Sequence, residues 1–203
     1  MLKVKNFDNR LGFIWLDGRF VKWNQAKLHV LSHGLHYASC VFEGARVYNG
    51  KIFKLNEHIK RLFFSSKTLG FKLPYREKVI NKACEEIVKK QKIQNGYLRP
   101  FAWRGSEMMA ISAQNTTIHV AIATWEMSTY FDKRKKFNGI KLKTSEWIRP
   151  PSNTAPTQAK AAGLYMICTL SKHIAEKKGF DDSLMLDSNG YVAESTGANI
   201  FFV

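Results

Sequence analysis

Lys160 lies in a stretch of the chain that is otherwise free of charge, NTAPTQAKAAGLYM (153–166). It is the only charged residue between Arg149 and Lys172. An ammonium group deprived of water loses its proton more readily, and the neutral amine is a nucleophile that forms a Schiff base with an aldehyde. The alternative is a lysine whose aliphatic stem packs against the protein while its charged head reaches water. The stretch by itself leaves both interpretations open.

Histidine and cysteine residues are further candidates for metal ligands or nucleophiles. His33 and His36 have helical spacing, but no acidic or cysteine residue completes a set of three or four metal ligands. We therefore expect no metal and interpret both as structural or pocket-lining residues. The cysteines Cys40, Cys84 and Cys168 are far apart and odd in number, which is typical of a protein of the reducing cytoplasm.

Length and composition predict a globular protein. The 203 residues suffice for one large or two small domains, and the hydrophobic content of 45% suits a buried core. No apolar run approaches the length of a membrane span, and the first residues, MLKVKNFDNR, lack the apolar segment of a signal peptide. We therefore expect a cytoplasmic protein with no membrane partner.

The formal net charge of +16, from 32 basic and 16 acidic residues, suggests a nucleic-acid partner. Most of these basic residues, however, are lysines spread along the chain, with one short cluster, DKRKK (132–136). No base-stacking or groove-reading motif accompanies them. Net charge bears on non-specific association, so we expect no specific nucleic-acid partner, while anionic small molecules fit the charge.

Periodicity predicts a mixed α+β fold. Hairpins are expected around Asp17-Gly18, Asn49-Gly50 and Asn189-Gly190, because these dipeptides accept the positive φ angles of two-residue turns. The three hairpins cover residues 13–23, 41–55 and 182–195, and further strands are predicted over 97–103, 117–125 and 139–147. Helices are predicted after an N-cap at Asn56, from about Arg76 to Lys92, and from Ala161 to Lys178 with a stop at Gly179.

The charged, weakly patterned stretch YFDKRKKFNG (130–139) is interpreted as a linker. We predict a small N-terminal domain over residues 1–130, an interdomain loop over 131–138, and a second domain from 139 to 203. This second part has few residues for a core of its own, and the chain stops within the apolar run GANIFFV. We therefore expect the sequence to be the front part of a longer protein.

Several long segments occur in a distinctive order: SHGLHYASCVFEGARVYNG, HIKRL, YLRP, NTAPTQAKAAGLYM and LDSNGYVAESTGANIFF. Together they closely resemble the branched-chain amino acid aminotransferases, which belong to the fold-type-IV enzymes that use pyridoxal 5'-phosphate (PLP). The resemblance extends over nearly the whole chain. It implies the two-domain fold of that family, with a small N-terminal α/β domain and only the beginning of the larger PLP-binding domain.

The resemblance also implies which residues bind the cofactor. Lys160 matches the lysine that bonds covalently with PLP and then moves a proton at the substrate α-carbon, which favours the chemical interpretation. Glu194 matches the carboxylate that pairs with the ring nitrogen, and Tyr165 matches the tyrosine that hydrogen-bonds the 3-oxygen. Arg61 matches the arginine that holds the phosphate, whose geometry suits a guanidinium fork. Without the resemblance, each of the last three would be an unremarkable strand or helix residue.

The substrate pocket is implied in the same way. Tyr97 and Arg99 are two apart on a predicted strand, so they share one face, and the family uses such a pair to meet the distal carboxylate of glutamate. The other pocket residues implied by the resemblance are Tyr37, Phe42, Ile111, Met127 and Tyr130. Tyr37 and Ile111 correspond to residues lent to a neighbouring subunit, which implies a homodimer or a higher homo-oligomer.

Met127 departs from the family pattern. Many relatives have a tryptophan there, and this chain instead has Trp125 two positions earlier. Methionine is flexible and fills irregular space, so we expect an altered substrate preference.

The function implied is PLP-dependent transamination of L-leucine, L-isoleucine and L-valine with 2-oxoglutarate. It would be the last step of branched-chain amino acid biosynthesis or the first step of degradation. Alternatives of the same fold type are a D-amino acid aminotransferase and an aminodeoxychorismate lyase, although the YLRP and HGLHYASCVFEG segments favour the branched-chain enzyme. A further alternative is a non-catalytic chain, since the second domain is incomplete.

Overall fold

The structure is a computed structural model that describes residues 6–129 and 133–202. The described residues fall into two compact units, and the division lies between Ser128 and Thr129. None of the helices within these ranges is both long and apolar enough to cross a membrane.

The first unit is built on a seven-stranded antiparallel sheet. The strands are β1 (Phe13–Leu16), β2 (Arg19–Lys22), β3 (Cys40–Phe42), β4 (Ala45–Tyr48), β5 (Lys51–Ile52), β6 (Gly96–Arg104) and β7 (Ile118–Glu126). Their order is β2-β1-β7-β6-β4-β5, and β3 also pairs with β6. The long strand β6 thus receives β3 and β4 along one side, and the short connection between those two strands carries residues of the candidate site.

Two tight turns confirm the first two predicted hairpins. Asp17 and Gly18 have φ angles of 46° and 90°, and Asn49 and Gly50 have φ angles of 48° and 74°. Positive φ at both central positions is what a two-residue turn requires to match the twist of its strands. The turns therefore fix the β1–β2 and β4–β5 registers.

The helices of this unit are α1 (His33–His36), α2 (Leu55–Thr68) and α3 (Glu77–Lys90). The buried apolar residues of α2 and α3, with those of the sheet, form one core in which the side chains with no exposed surface include Val41, Ile59, Leu62, Ile80, Ile87, Leu98, Val120 and Ile122. The apolar residues of α2 and α3 recur at helical spacing, so each helix presents one stripe to this core.

The prediction that Asn56 caps the first long helix is wrong. The residue that precedes α2 is Lys54, with a φ of 53° and no side-chain capping bond, and Asn56 lies within the first turn. The helix thus begins before the residue that the sequence pattern suggested as its cap. Lys54 instead forms an exposed ion pair with Glu57, with 2.9 Å between Nζ and Oε1.

The second unit contains α4 (Lys133–Asn138), β8 (Leu142–Thr144), α5 (Met166–Lys177), β9 (Asp182–Leu186) and β10 (Val192–Ser195). The sheet order is β10-β9-β8, with β8 parallel and β10 antiparallel to β9. Parallel neighbours need a crossover, and the connection from β8 to β9 includes α5. Cys168, Ser171 and Ala175 form the buried side of α5.

Three local expectations differ from the structure here. Part of the predicted loop over 131–138 is helical, because α4 begins at Lys133; residues 131 and 132 lie outside the described ranges. The strand predicted over 139–147 is limited to β8. The third hairpin has a five-residue connection (187–191) closed by Asp187, which receives bonds from the Asn189 and Tyr191 amides and donates its own amide to the Tyr191 carbonyl.

Candidate active site

Lys160 lies just before a single helical turn (Ala162–Tyr165) that leads into α5. This turn brings Tyr165 back towards the lysine, so that Nζ of Lys160 donates a hydrogen bond to Oη of Tyr165 at 2.7 Å. The lysine is partly buried, and its neighbours Ala159 and Ala161 are each 4% exposed. The absence of charge noted in the sequence therefore corresponds to a shielded amine beside a phenol.

Glu194 lies on β10 and is held by an arginine that the sequence did not single out. Nε of Arg149 is 2.9 Å from Oε1 of Glu194, and the two side chains are 17% and 35% exposed. Nη1 of Arg149 also donates to the carbonyl oxygen of Leu164 at 3.2 Å. Arg149 thus connects Glu194 with the turn that positions Tyr165 beside Lys160.

The candidate groups Lys160, Tyr165 and Glu194 are therefore arranged by one short network within the second unit. An amine, a phenol and a carboxylate supply a nucleophile, a proton donor or acceptor, and a fixed negative charge. Arg149 delimits the uncharged stretch in the sequence, but its separation from Glu194 gave no signal that the two residues pair.

Arg61 lies on α2 and contacts a buried carboxylate, Glu43, which the sequence also did not indicate. Nε and Nη2 of Arg61 donate to Oε1 and Oε2 of Glu43 at 2.5 and 2.8 Å. Nδ1 of His58 is 2.7 Å from Oε2 of the same carboxylate. His58 and Arg61 share a face of α2 because they are three residues apart, and this spacing was the available sequence signal.

Glu43 has no exposed side-chain surface, whereas half of the Arg61 side chain is exposed. Burial alone would raise the pKa of Glu43, but the hydrogen bonds from Arg61 and His58 and their positive charges lower it below the usual value overall. Glu43 is therefore an ionised carboxylate within the protein, and it orients a guanidinium that reaches solvent.

Tyr97 and Arg99 project from the same face of β6, as the sequence predicted. Nη2 of Arg99 donates to Oη of Tyr97 at 3.2 Å. The Arg99 guanidinium also lies over the ring of Phe42, 4.4 Å from its centroid, at a distance typical of cation–π contacts. The structure thus brings three of the predicted pocket residues together.

Gly44 makes this arrangement possible. A Cβ atom at Gly44 would lie 1.8 Å from Oη of Tyr97, which is far inside van der Waals contact. The backbone at Gly44 therefore approaches the Tyr97 hydroxyl more closely than any other residue type would permit.

Trp125 packs against Tyr97, with 5.0 Å between ring centroids, and is partly buried. Met127 follows the end of β7, and its carbonyl oxygen accepts a hydrogen bond from Arg46 Nη2 at 2.9 Å. The structure therefore places a tryptophan beside the Tyr97–Arg99 pair, two residues before the position predicted for the pocket. Tyr130, another predicted pocket residue, lies outside the described residues.

Tyr37 and Ile111 are exposed, at 42% and 82%. Tyr37 stacks on His33, with 4.5 Å between ring centroids. The two ring nitrogens of His33 contact Ser39 Oγ and the Ala110 carbonyl oxygen at 3.0 and 2.9 Å. His33 therefore connects the segments that carry Tyr37 and Ile111.

The three cysteines carry free thiols. Burial raises the pKa of the Cys40 thiol to about 11, although the nearby positive charge of Arg99 opposes this shift. Burial raises the pKa of Cys84 and Cys168 as well. In the part of the chain that the structure describes, no cluster of three or more His, Cys, Asp or Glu side chains is placed to hold a metal ion.

Known proteins resemble this chain in both sequence and structure. The family profile described as amino-transferase class IV matches residues 40–203. A probable branched-chain-amino-acid aminotransferase of Rickettsia bellii is 43% identical over 200 residues, which is 98% of this chain and 68% of the relative. The branched-chain-amino-acid aminotransferase of Pseudomonas aeruginosa is 39% identical over 199 residues, covering 96% of this chain and 65% of the relative.

Solved structures show the same relationship. The branched-chain aminotransferase of the archaeon Thermoproteus uzoniensis with norvaline has a TM-score of 0.85 at 32% identity, covering 92% of this chain and 63% of that one. The Escherichia coli branched-chain amino acid aminotransferase has a TM-score of 0.84 at 33% identity, covering 93% and 62%. An aminotransferase from Brucella abortus, solved with PLP bound, has a TM-score of 0.78 at 27% identity, covering 92% and 66%. The chain thus spans about two thirds of the length of these relatives.

The α+β fold expected from the resemblance is confirmed by these neighbours over the part of the family fold that the chain includes. The profile match covers most of the chain, and the matched segment contains Glu43, Arg61, Lys160 and Glu194. Sequence, fold and family profile therefore agree that this chain belongs to the class IV aminotransferases.

Proposed function

We propose that the protein containing this chain is a PLP-dependent aminotransferase that exchanges the amino group of leucine, isoleucine or valine with 2-oxoglutarate. The observation that carries the proposal is the 2.7 Å hydrogen bond between Lys160 Nζ and Tyr165 Oη, in a unit where Arg149 holds Glu194. The relatives named as branched-chain enzymes support this substrate class.

The side chains present fit the chemical groups of PLP. Lys160 offers a shielded amine for the aldehyde, Tyr165 a phenol for the ring oxygen, and Glu194 a carboxylate for the ring nitrogen. Arg61 offers a guanidinium whose orientation is already set by Glu43, and a fork of this shape suits a phosphate. When bound, PLP supplies an aldehyde and a ring that draws electrons from the substrate α-carbon.

The roles of the protein groups follow from their contacts. Lys160 would hold the aldehyde of the cofactor through its amine, and the same amine would move the proton at the substrate α-carbon. Tyr165, which accepts a hydrogen bond from Lys160 Nζ, keeps the amine in place. Glu194, ion-paired with Arg149, presents a negative charge that would favour a protonated ring nitrogen.

The pocket must accept both an aliphatic side chain and the distal carboxylate of glutamate. An arginine buried without a partner would be costly when an aliphatic substrate is bound. Arg99 avoids this cost because it donates to Tyr97 and lies over Phe42. We infer that Arg99 meets the carboxylate of glutamate, while Phe42, Met127 and Tyr130 contact aliphatic side chains.

We also infer a cytoplasmic homodimer in which Tyr37 and Ile111 contact the neighbouring copy. Their exposure in the single chain supports this role, since large apolar side chains on a surface often mark a contact. We also propose the domain boundaries that the sequence predicts: a small N-terminal domain over 1–130, an interdomain segment over 131–138 and a second domain over 139–203.

The proposal is tested by adding PLP to the full-length protein, reducing with borohydride and locating the adduct by peptide mass spectrometry. We expect modification at Lys160, its loss in Lys160→Ala, and no change in Lys177→Ala, an exposed lysine on α5. A panel of amino acids with 2-oxoglutarate then tests the substrates. A folded protein without an adduct would indicate a non-catalytic chain, and activity with D-alanine but not L-leucine would indicate a D-amino acid aminotransferase.

A further inference from the structure

Glu43 is the most deeply buried acidic side chain of the described residues, with no exposed surface. It lies in the short connection between β3 and β4. Its two oxygens receive hydrogen bonds from Arg61 Nε and Nη2, and the backbone amide of Gly44 donates to Oε2 at 3.3 Å. Nδ1 of His58 lies 2.7 Å from Oε2 of the same carboxylate.

This ion pair is a poor source of stability, because the desolvation of the buried Glu43 carboxylate offsets much of its attraction to Arg61. Its specific effect is geometric. Two parallel N–H groups bonded to one carboxylate fix the plane and direction of the Arg61 guanidinium. Half of the Arg61 side chain nevertheless remains exposed, so the ion pair with Glu43 leaves part of this side chain open to solvent.

We propose that Glu43 is a positioning residue that holds Arg61 in the orientation in which it binds the phosphate of the cofactor. His58 takes part through its contact with the same carboxylate. This inference rests on the proposed function, which gives Arg61 the phosphate. An arginine side chain free in solvent loses rotational freedom when it binds an anion. Glu43 imposes this order before the ligand arrives.

Glu43 also has an electrostatic effect that opposes phosphate binding. Its negative charge also repels a phosphate and weakens the electrostatic attraction of Arg61. If orientation dominates, removal of the charge weakens phosphate binding; if repulsion dominates, removal strengthens it. The two short bonds to Arg61 and the complete burial of Glu43 favour orientation.

The test compares PLP with pyridoxal, which has the same aldehyde and ring but no phosphate. In the full-length protein, we expect Glu43→Gln to weaken PLP binding by roughly tenfold to a hundredfold, the range for a lost charge-assisted hydrogen bond. Pyridoxal binding should change by less than about threefold, as expected if the affected contact is absent. Both affinities are measured by absorbance titration of the aldehyde on Lys160.

A general structural defect would weaken both ligands equally, and that result would overturn the inference, as would tighter PLP binding by the variant. Glu57→Gln is the matched control, since Glu57 lies on α2, the helix that carries Arg61, but is 60% exposed and pairs with Lys54. It should bind both compounds as the unchanged protein does.

A double variant shows whether Glu43 acts through Arg61. In an Arg61→Gln background, Glu43→Gln should cause no further loss of PLP affinity. Losses that add in full would mean that Glu43 acts by another route. If Glu43→Gln does not fold, Glu43→Asp keeps the charge but retracts it by one methylene, and we expect the same selective loss of PLP over pyridoxal. An equal loss of both, or none, would overturn the inference.

Arg61→Gln also separates this inference from the function on which it rests. If Arg61→Gln binds PLP normally, the phosphate role of Arg61 is wrong. If Arg61→Gln weakens PLP binding and Glu43→Gln does not, only the positioning role of Glu43 is wrong.

Discussion

Arg149 and Glu194 form an ion pair of 2.9 Å that links the final described strand, β10, with the turn before α5. The Arg149 side chain is largely buried, with 17% of its surface exposed. It donates hydrogen bonds to three neighbours: Glu194, the Leu164 carbonyl oxygen and Cys168 Sγ. The pair therefore sets the position of the carboxylate relative to the turn that carries Tyr165.

The first prediction concerns this pair. Arg149→Met should leave Glu194 without its cation and Leu164 without a donor, and it should weaken PLP binding by about tenfold to a hundredfold. Arg149→Lys keeps the positive charge but lacks the guanidinium fork whose Nε and Nη1 reach Glu194 and Leu164. Because the charge remains, its loss of PLP affinity should be smaller than that of Arg149→Met. Absorbance titration with PLP measures both, and wild-type affinity in Arg149→Met would show that Glu194 needs no such support.

The second prediction concerns the two substrates. Arg99→Leu should raise KM for 2-oxoglutarate by about tenfold to a hundredfold, because a carboxylate loses its charged partner. The half-reaction with leucine should change much less. Steady-state and single-turnover kinetics distinguish the two effects.

Tyr97→Phe provides the comparison for this prediction. It removes the hydroxyl that accepts the Arg99 bond but leaves the guanidinium, so the effect on 2-oxoglutarate should be smaller than that of Arg99→Leu. Equal losses with leucine and 2-oxoglutarate in Arg99→Leu would contradict a selective role.

The third prediction concerns Gly44. Because an added Cβ would lie 1.8 Å from Tyr97 Oη, Gly44→Ala must displace Tyr97 and disturb the Arg99 bond. We expect a loss of about 1–3 kcal/mol in the free energy of unfolding, as for other overpacked sites, measured by denaturant titration. Gly197→Ala is the control, since a Cβ there would meet nothing within 4 Å; similar losses in both variants would refute the steric explanation.

The fourth prediction concerns pH. With a pKa of about 11, roughly one Cys40 thiol in a thousand is ionised at pH 8. Alkylation by iodoacetamide should therefore be slow at pH 7–8 and accelerate about tenfold per pH unit up to pH 10, since the thiolate is the reactive form. Peptide mass spectrometry of the folded protein follows the rate. Fast alkylation of Cys40 at pH 7 would contradict the raised pKa, while buried Cys84 should stay unmodified.

Sequence patterns predicted those features of the fold that depend on local physics. Asp17-Gly18 and Asn49-Gly50 supply positive φ at adjacent positions, and the structure has two-residue turns at both. The periodic helix from about Arg76 to Lys92 corresponds to α3, which runs from Glu77 to Lys90. In each case the residues that determine the turn or the helix are neighbours in the sequence.

Features set by distant partners were not predictable in the same way. Asn189-Gly190 has the same turn chemistry, but the Asp187 carboxylate accepts two backbone amides and closes a longer connection. The Glu43–Arg61 and Arg149–Glu194 pairs each join a residue of a connection to a residue of a helix or strand far along the chain. In the sequence, a buried carboxylate after a strand looks like any solvated acid. Even the resemblance, which indicated Arg61 and Glu194, did not identify the groups that hold them.

Three consecutive residues, Phe42, Glu43 and Gly44, each contact a different functional side chain: Arg99, Arg61 and Tyr97 respectively. A protein engineer who wished to broaden the range of accepted amino acids would be tempted to randomise this tripeptide. The backbone there has little room to move, so most such variants should retain the vitamin B6 cofactor poorly and also lose selectivity between amino acids. Trp125, which packs against Tyr97 from the neighbouring strand β7, is an alternative position at which to change selectivity.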